Sequence, residues 1–191
     1  MYKKKEKEFI FQSLFNKNRE LPFISKQEQE KIFFTISEYF LSGFVLANSY
    51  LKQQYPTLHE RLFVLNQNLL MRKLLMLNDL KVIEKEFQKR DIRYILLKGA
   101  AIDRIKLHSG NQRQFRDIDI LVKDVDMTRA VDALASLGFR NEKKYSLTRL
   151  KYFPQSHQMP VMISKNRTQI DLHFRVTRPD IYKKCPLTEH F

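Results

Sequence analysis

The sequence predicts an α+β protein in which an α-helical N-terminal region precedes a mixed sheet with helices packed on it. Apolar residues recur at helical spacing up to about residue 89, and from Arg93 onward short apolar runs alternate with helix-like segments. The composition is that of a folded chain, since 43% of the 191 residues are apolar and only 4 Gly and 6 Pro interrupt regular structure. We therefore expect a helical region at 1–90 and a sheet-containing core at 91–191.

Two long helices are expected in the N-terminal region, at about 26–53 and 58–89. Each start carries the capping-box pattern, in which side chains of the first turn satisfy free backbone N–H groups; the pairs are Ser25 with Glu28 and Thr57 with Glu60. Pro56 falls in the break, where a residue lacking an N–H does least harm. The Leu- and Phe-rich helical half is explained equally by an internal core and by an oligomer interface.

Residues 32–51 come near the composition of a membrane span, since about 20 apolar residues would suffice to cross a bilayer. Glu38 and Asn48 within this stretch favour a buried amphipathic helix instead. The basic start of the chain has no long apolar stretch leading to a cleavage site, so it does not read as a signal peptide. We expect no membrane partner.

The sheet-containing core begins with a continuous apolar run at 94–97, which is typical of a strand buried on both faces. Residues 100–107 are expected to form a helix and residues 117–122 a second strand. Later in the chain we expect a helix from Asp126 to Leu137 closed by Gly138, and a β-hairpin of 159–164 and 168–176 around Lys165-Asn166-Arg167.

The charge balance is strongly basic, with 35 Lys and Arg against 21 Asp and Glu and a net charge of +14. Such a surface attracts anions, which could be nucleotides, nucleic acid or acidic lipid, although a solubilising surface explains it as well. Residues 140–184 hold eleven Lys or Arg and three Asp or Glu. The single Cys185 cannot form an internal disulfide, and we expect a cytoplasmic protein.

The strand at 117–122 carries two aspartates on one face. Because alternate residues of a strand point to opposite faces, Asp117 and Asp119 project one way while Ile118 and Ile120 enter the core. Two carboxylates therefore leave the same side of the sheet. On its own this pair is also typical of an ordinary solvent-facing strand.

A third carboxylate comes from the later strand, which has the cleanest alternation in the chain. One face holds Gln169, Asp171, His173 and Arg175, and the other Ile170, Leu172, Phe174 and Val176. If this strand pairs beside the first, Asp117, Asp119 and Asp171 converge and repel each other, so the cluster needs cations. Hard oxygen ligands suit Mg²⁺ or Mn²⁺, and two such ions could serve a phosphoryl-type transfer.

A strand-to-helix turn precedes the aspartate pair. Gly99 allows a phosphate to approach backbone N–H groups there, and Lys98 can supply a point charge to the same phosphates, although a glycine at such a turn is often structural. Arg113 and Arg116 flank the aspartates and could balance their charge or bind phosphate. His173 could orient a carboxylate, touch a triphosphate or accept a proton, and a structural hydrogen bond explains it equally.

These residues resemble the nucleotidyltransferase superfamily to which DNA polymerase beta belongs. The pattern of LLKGAAI, RQFRDIDILV, a histidine at 157 and IDLHF is closer still to a group of bacterial nucleotidyltransferase-like proteins, largely uncharacterised. The resemblance covers about 90–176 and makes 91–191 a nucleotidyltransferase-like core. The positions that match the pattern are Lys98, Gly99, Arg113, Asp117, Asp119, His157, Asp171 and His173.

The resemblance implies a magnesium- or manganese-dependent enzyme that moves a nucleoside monophosphate from a nucleoside triphosphate, such as ATP, to an acceptor. It implies that the three aspartates hold metal and that Lys98, Gly99 and Arg113 bind the nucleotide. RNA, a protein or a small molecule remain open as acceptor, and the basic 140–184 segment would suit RNA, as in nucleotidyltransferase toxins that modify transfer RNA.

Relatives in that group usually continue with a further helical portion after the third carboxylate, whereas this sequence stops at Phe191. Three alternatives follow for the missing part: a partner chain supplies it, a second copy of this chain supplies it, or the site lacks it. The alternative to an enzyme is a catalytically inactive binding or assembly module with the same fold.

Overall fold

The computed structural model describes residues 4–105, 114–141 and 158–176 of the protein. It confirms the α+β class: within these residues, helices occupy the N-terminal part, and five strands form one mixed sheet accompanied by further helices. The described residues divide into two compact units, residues 4–73 with Gln114, and residues 74–105, 115–141 and 158–176. No helix in the described part of the chain is both long and apolar enough to cross a membrane.

The first unit is helical. Its elements are α1 (Lys4–Phe15), α2 (Lys26–Glu38), α3 (Ser42–Val45), α4 (Leu51–Gln54) and the first half of α5 (Pro56–Lys89). Apolar side chains from all five helices form its core, among them the fully buried Phe9, Ile32, Val45, Leu51 and Leu62. The capping box at the start of α2 is confirmed, because Ser25 and Glu28 satisfy each other's backbone N–H groups.

The expected single helix over 26–53 is wrong, because the chain breaks after Glu38. Phe40 adopts a left-handed backbone with a φ of 56°, and the N–H of Leu41 donates to the carbonyl of Ile36 at 2.9 Å. This is the hydrogen-bond pattern of a Schellman C-cap, which normally uses glycine at the left-handed position. The sequence offered no glycine as a signal, so the end of α2 was missed.

Helix α5 begins at Pro56, two residues earlier than expected. Pro56 is therefore the first helical residue, where its missing N–H would have had no intrahelical partner in any case. Thr57 lies inside the first turn instead of capping it. The helix then runs unbroken to Lys89, as the leucine spacing indicates.

The sheet of the second unit follows the order β1-β2-β5-β4-β3. Its strands are β1 (Tyr94–Leu96), β2 (Asp117–Val122), β3 (Arg140–Asn141), β4 (Met162–Ile163) and β5 (Gln169–His173). Strands β2 and β5 are parallel neighbours, and the other pairs are antiparallel. The predicted hairpin is confirmed by β4 and β5, and its turn places Arg167 at a φ of 61°.

The core of the second unit lies on one face of this sheet. Ile118 and Ile120 of β2 and Ile170 and Leu172 of β5 are fully buried there. They pack in one cluster with the second half of α5 and with α7 (Met127–Ser136). The opposite face of β2 and β5 is therefore the face that carries the aspartates.

Two further expectations about the core need correction. The strand at 94–97 is not buried on both faces, because β1 lies at the edge of the sheet and Ile95 is 38% exposed. Asp126 does not cap α7 with its side chain; it ends a 3₁₀ turn and forms an ion pair with Arg129. Gly138, with a φ of 86°, does close α7 as predicted.

Candidate active site

The parallel pairing of β2 with β5 brings the predicted carboxylates together. The register sets Asp119 directly opposite Asp171, and Asp117 opposite Gln169. Since the side chains of a strand alternate, all three aspartates lie on the face opposite the apolar core. Asp119 is almost fully buried at 1% exposure, whereas Asp117 and Asp171 are half-buried.

Lys98 reaches this face because of where β1 ends. The N–H of Leu97 donates to the carbonyl of Asp119 at 2.9 Å, which continues the pairing of β1 with β2 and holds the chain beside Asp119. Lys98 follows with a left-handed φ of 46° and starts α6 (Lys98–Arg104). Its Nζ lies 2.6 Å from Asp119 Oδ1, although 63% of the side chain stays exposed.

His173 contacts the same carboxylate oxygen from β5. It lies two residues beyond Asp171 on the same strand face, and it is 2% exposed. Its Nε2 lies 2.8 Å from Asp119 Oδ1. Asp119 therefore stands between an ammonium group and an imidazole. In the sequence, Lys98 was marked by the strand-to-helix turn and His173 by the alternation of its strand.

The three aspartates differ in pKa because their surroundings differ. Burial raises the pKa of Asp119, but the hydrogen bonds from His173 and Lys98 lower it by more, so its pKa lies below the ordinary value. Burial, and then repulsion from Asp119, raises the pKa of Asp117. Burial, followed by repulsion from Asp117 and Asp119, raises the pKa of Asp171. The hydrogen bond to Asp119 in turn raises the pKa of Lys98.

The remaining predicted nucleotide-binding residues are placed as follows. Gly99 is the buried second residue of α6, and a Cβ there would lie 2.6 Å from the Cβ of Phe115. Close packing against Phe115 therefore requires a glycine at this position. Arg116 is exposed beside Asp117, and its charge lowers the pKa of Asp117. Arg113, like His157, lies outside the described residues.

Gln158 is a neighbour of the aspartates that the sequence pattern did not reveal. Its backbone forms a bridge with His173, and its side-chain Nε2 lies 3.4 Å from Asp171 Oδ2. The only signal in the sequence was its position next to His157. No strand periodicity marks the segment, so pairing with β5 could not be anticipated.

The donor set fits a divalent cation. A carboxylate oxygen from each of Asp119 and Asp171 and a ring nitrogen of His173 lie within 4.8 Å of one another. Asp119 Oδ2 is buried and has no hydrogen-bond partner among the described residues. A buried carboxylate oxygen left in this state is costly, and a bound cation would satisfy it. With three carboxylates and one ammonium, this face also carries net negative charge.

Comparison with known proteins adds a family to this geometry. The model of a family described as uncharacterised nucleotidyltransferase matches residues 41–190, which is most of the chain. Among curated proteins, no match is found. The matched region contains both aspartate-bearing strands and the turn at Lys98, in agreement with the expected superfamily. The chain therefore belongs to the uncharacterised nucleotidyltransferase family.

Proposed function

We propose that this protein is a divalent-metal-dependent nucleotidyltransferase, which moves a nucleoside monophosphate from a nucleoside triphosphate to an acceptor. One observation carries the proposal: Asp119 and Asp171 lie side by side on parallel strands, and Asp119 presents a buried oxygen without a partner among the described residues. Aspartates that only face solvent are neither paired in this way nor buried with an unpartnered oxygen. In a chain of this family, a cation for phosphate chemistry explains its cost.

Each aspartate has a distinct part in the proposal. Asp119 and Asp171 would hold the cation, and Asp117, on the same face, would add a further oxygen ligand. The chemistry supplied by bound Mg²⁺ or Mn²⁺ is charge neutralisation on the phosphates and a lower pKa for an acceptor hydroxyl. Before the cation binds, His173 keeps Asp119 oriented through its contact with Oδ1. Because the aspartates lie on strands of one sheet, their spacing is held by the backbone.

Lys98 is well placed to bind the triphosphate. Its ammonium contacts Asp119, yet its side chain is mostly exposed and can turn toward an incoming phosphate. We assign Gly99, Arg113 and Arg116 to nucleotide binding on the family pattern, with Arg116 supported by its exposed position next to Asp117. The charges of Lys98, Arg113 and Arg116 would neutralise the negative charge that the triphosphate brings.

The bond changes follow from this placement. The acceptor oxygen forms a bond to the α-phosphorus, the bond from that phosphorus to the bridging oxygen breaks, and pyrophosphate leaves. The acceptor proton is released to water. RNA, a protein and a small molecule all carry suitable hydroxyl groups. The net charge of +14 favours a polyanionic acceptor such as RNA, and the lone Cys185 favours a cytoplasmic location.

The experiment that tests the proposed reaction follows the phosphates separately. The protein is incubated with cell extract, Mg²⁺ or Mn²⁺, and each nucleoside triphosphate labelled at either the α- or the γ-phosphate. We expect the α-label to enter an extract component and the γ-label to appear in pyrophosphate. Transfer of the γ-label would instead indicate a kinase. If no labelled nucleotide transfers either phosphate to an extract component, the proposal is contradicted and the inactive binding module is favoured.

A further inference from the structure

His173 has a position that goes beyond holding Asp119. It follows Asp171 by two residues on β5, and its backbone lies opposite Leu121 of β2 on one side and bridges Gln158 on the other. The side chain is 2% exposed. A ring held in this way loses little freedom when it binds a ligand, unlike an exposed histidine.

The donor atoms of His173 belong to the group with metal-like spacing. Among the described residues, Asp119, Asp171 and His173 form a group of three potential ligands, whose carboxylate oxygens and ring nitrogen lie within 4.8 Å of one another. Two ligands of one ion lie at most about 4.2 Å apart, twice the typical ligand distance of about 2.1 Å. The three atoms are therefore close to the spacing that a common ion requires.

A second observation points to an ion at this place. Asp119 Oδ1 already contacts His173 Nε2 at 2.8 Å, whereas Asp119 Oδ2, in the same buried carboxylate, has no partner within the described part of the chain. An ion that took both His173 and Asp119 as ligands would satisfy the buried oxygen. It would also replace one contact of the imidazole with a stronger one.

We infer that His173 is a metal ligand together with Asp119 and Asp171, and that this mixed nitrogen and oxygen site selects Mn²⁺ over Mg²⁺. The inference rests on the proposed function, because it names the cation of the same site. Carboxylates alone suit Mg²⁺, whereas an imidazole nitrogen favours first-row transition ions. The assignment differs from a site made of Asp117, Asp119 and Asp171 alone in having a nitrogen atom bound to the metal.

The test measures cation binding and the identity of the ligand, without relying on turnover. Mn²⁺ and Mg²⁺ are titrated by calorimetry into the full-length protein, with and without a non-hydrolysable nucleoside triphosphate analogue. Electron spin echo spectroscopy of bound Mn²⁺ detects a coordinated histidine nitrogen, and ¹⁵N-histidine labelling identifies it. The variants are His173→Gln and His173→Ala, with His59→Gln on α5 as a matched control, and melting curves check that each folds.

We expect tighter binding of Mn²⁺ than of Mg²⁺ and a histidine nitrogen signal that both His173 variants lose and His59→Gln keeps. Loss of a group that only supports a ligand typically weakens metal binding about 10- to 100-fold, so losing His173 should weaken Mn²⁺ binding by at least about tenfold. Unchanged Mn²⁺ affinity in folded His173 variants, or no histidine nitrogen on the ion, would overturn the inference and leave the proposed function intact. Absence of any cation binding, even with the nucleotide analogue, would overturn both.

Discussion

Asp119 is the residue on which the candidate site depends, and its two oxygens have opposite surroundings. Oδ1 contacts both Lys98 and His173, whereas Oδ2 is buried without a partner among the described residues. The contacts of Oδ1 favour the ionised form of the Asp119 carboxylate in the folded protein. The unpartnered Oδ2 destabilises the folded protein, and a bound cation can remove this energetic cost.

The first prediction compares Asp119 with Asp171 in protein freed of metal by a chelator. At neutral pH, Asp119→Asn should lower the free energy of unfolding by about 1–3 kcal/mol, because two hydrogen bonds to a charged group are weakened. Asp171→Asn should raise it, because a carboxylate disfavoured by burial and by neighbouring charge is removed. Denaturant titration measures both, with the exposed Asp132→Asn of α7 as the control.

The pH dependence of these effects has a definite sign. The folded pKa of Asp119 is lowered, so its stabilisation is present above the ordinary value of 3.8 and is lost as the pH falls through the folded pKa. The pKa of Asp171 is raised, so stability is lost as the pH rises above 3.8 through the folded pKa. The gain from Asp171→Asn should therefore be present at pH 7 and disappear below 3.8. An equal gain at all pH values would contradict this account.

Lys98 supplies the second prediction at this scale. Because its ammonium shares Asp119 Oδ1, Lys98→Met should strengthen Mn²⁺ binding without nucleotide, by about two- to fivefold for so exposed an ion pair. The same change should weaken nucleoside triphosphate binding about 10- to 100-fold, since a charged hydrogen bond to phosphate is lost. Calorimetry separates the two affinities, and Lys123→Met, at an exposed position after β2, should alter neither. If Lys98→Met weakened both Mn²⁺ and nucleotide binding, Lys98 would not compete with the cation for Asp119.

At the scale of elements, the start of α6 depends on Gly99. A Cβ at this position would lie 2.6 Å from the Cβ of Phe115. This is a steric clash, and either the helix or Phe115 must move to relieve it. Gly99→Ala should lower the free energy of unfolding by about 1–3 kcal/mol, the usual cost of overpacking. The same change should cost less in a Phe115→Gly background. Equal costs in both backgrounds, measured by denaturant titration, would show that crowding is not the reason for the glycine.

The turn between β4 and β5 is tied to α5 by Asp79. This nearly buried carboxylate accepts hydrogen bonds from Ser164 Oγ at 2.9 Å and Asn166 Nδ2 at 3.1 Å. Ser164 Oγ in turn accepts the backbone N–H groups of Asn166 and Thr168. The turn leads directly into β5, so the anchoring helps to fix the strand that carries Asp171.

Asp79→Ala should therefore destabilise the second unit by about 1–3 kcal/mol, because two polar groups lose their acceptor. Hydrogen exchange of the amides of Asn166 and Thr168 should accelerate beyond that global change. The exposed Asp132→Ala serves as the control. Exchange at these two amides that follows only the global stability would argue against a local anchor.

At the scale of the whole molecule, period-two patterns predicted the two strands that carry the aspartates and the faces of those strands. The alternation predicted that residues 117–122 and most of 168–176 form strands with their aspartates on one face, and β5 ends at His173. The pairing of Asp119 beside Asp171 was a condition of the predicted site, and the structure shows it. It succeeded because one face packs in the apolar core, so a shift of one residue would turn the aspartates into that core. The closing Gly138 was predicted for a similarly local reason, since its backbone conformation favours glycine.

Rare backbone conformations and contacts between distant residues could not be predicted from the sequence. Phe40 adopts a left-handed backbone that bulky residues rarely take, so no pattern marked the end of α2. The exposure of Ile95 follows from the place of β1 at the sheet edge, which an apolar run of three or four residues cannot reveal. The contacts of Lys98 and Gln158 with the aspartates likewise depend on how the elements pack.

The central claim is that Asp119 and Asp171, on parallel strands, support transfer of the α-phosphate. The most direct test measures pyrophosphate released per enzyme, together with incorporation of the α-label, for the wild-type protein and for folded Asp119→Asn, Asp171→Asn and Asp132→Asn variants. We predict that the first two substitutions abolish both signals and that Asp132→Asn keeps both. Turnover by Asp119→Asn close to that of the wild-type protein would contradict the claim.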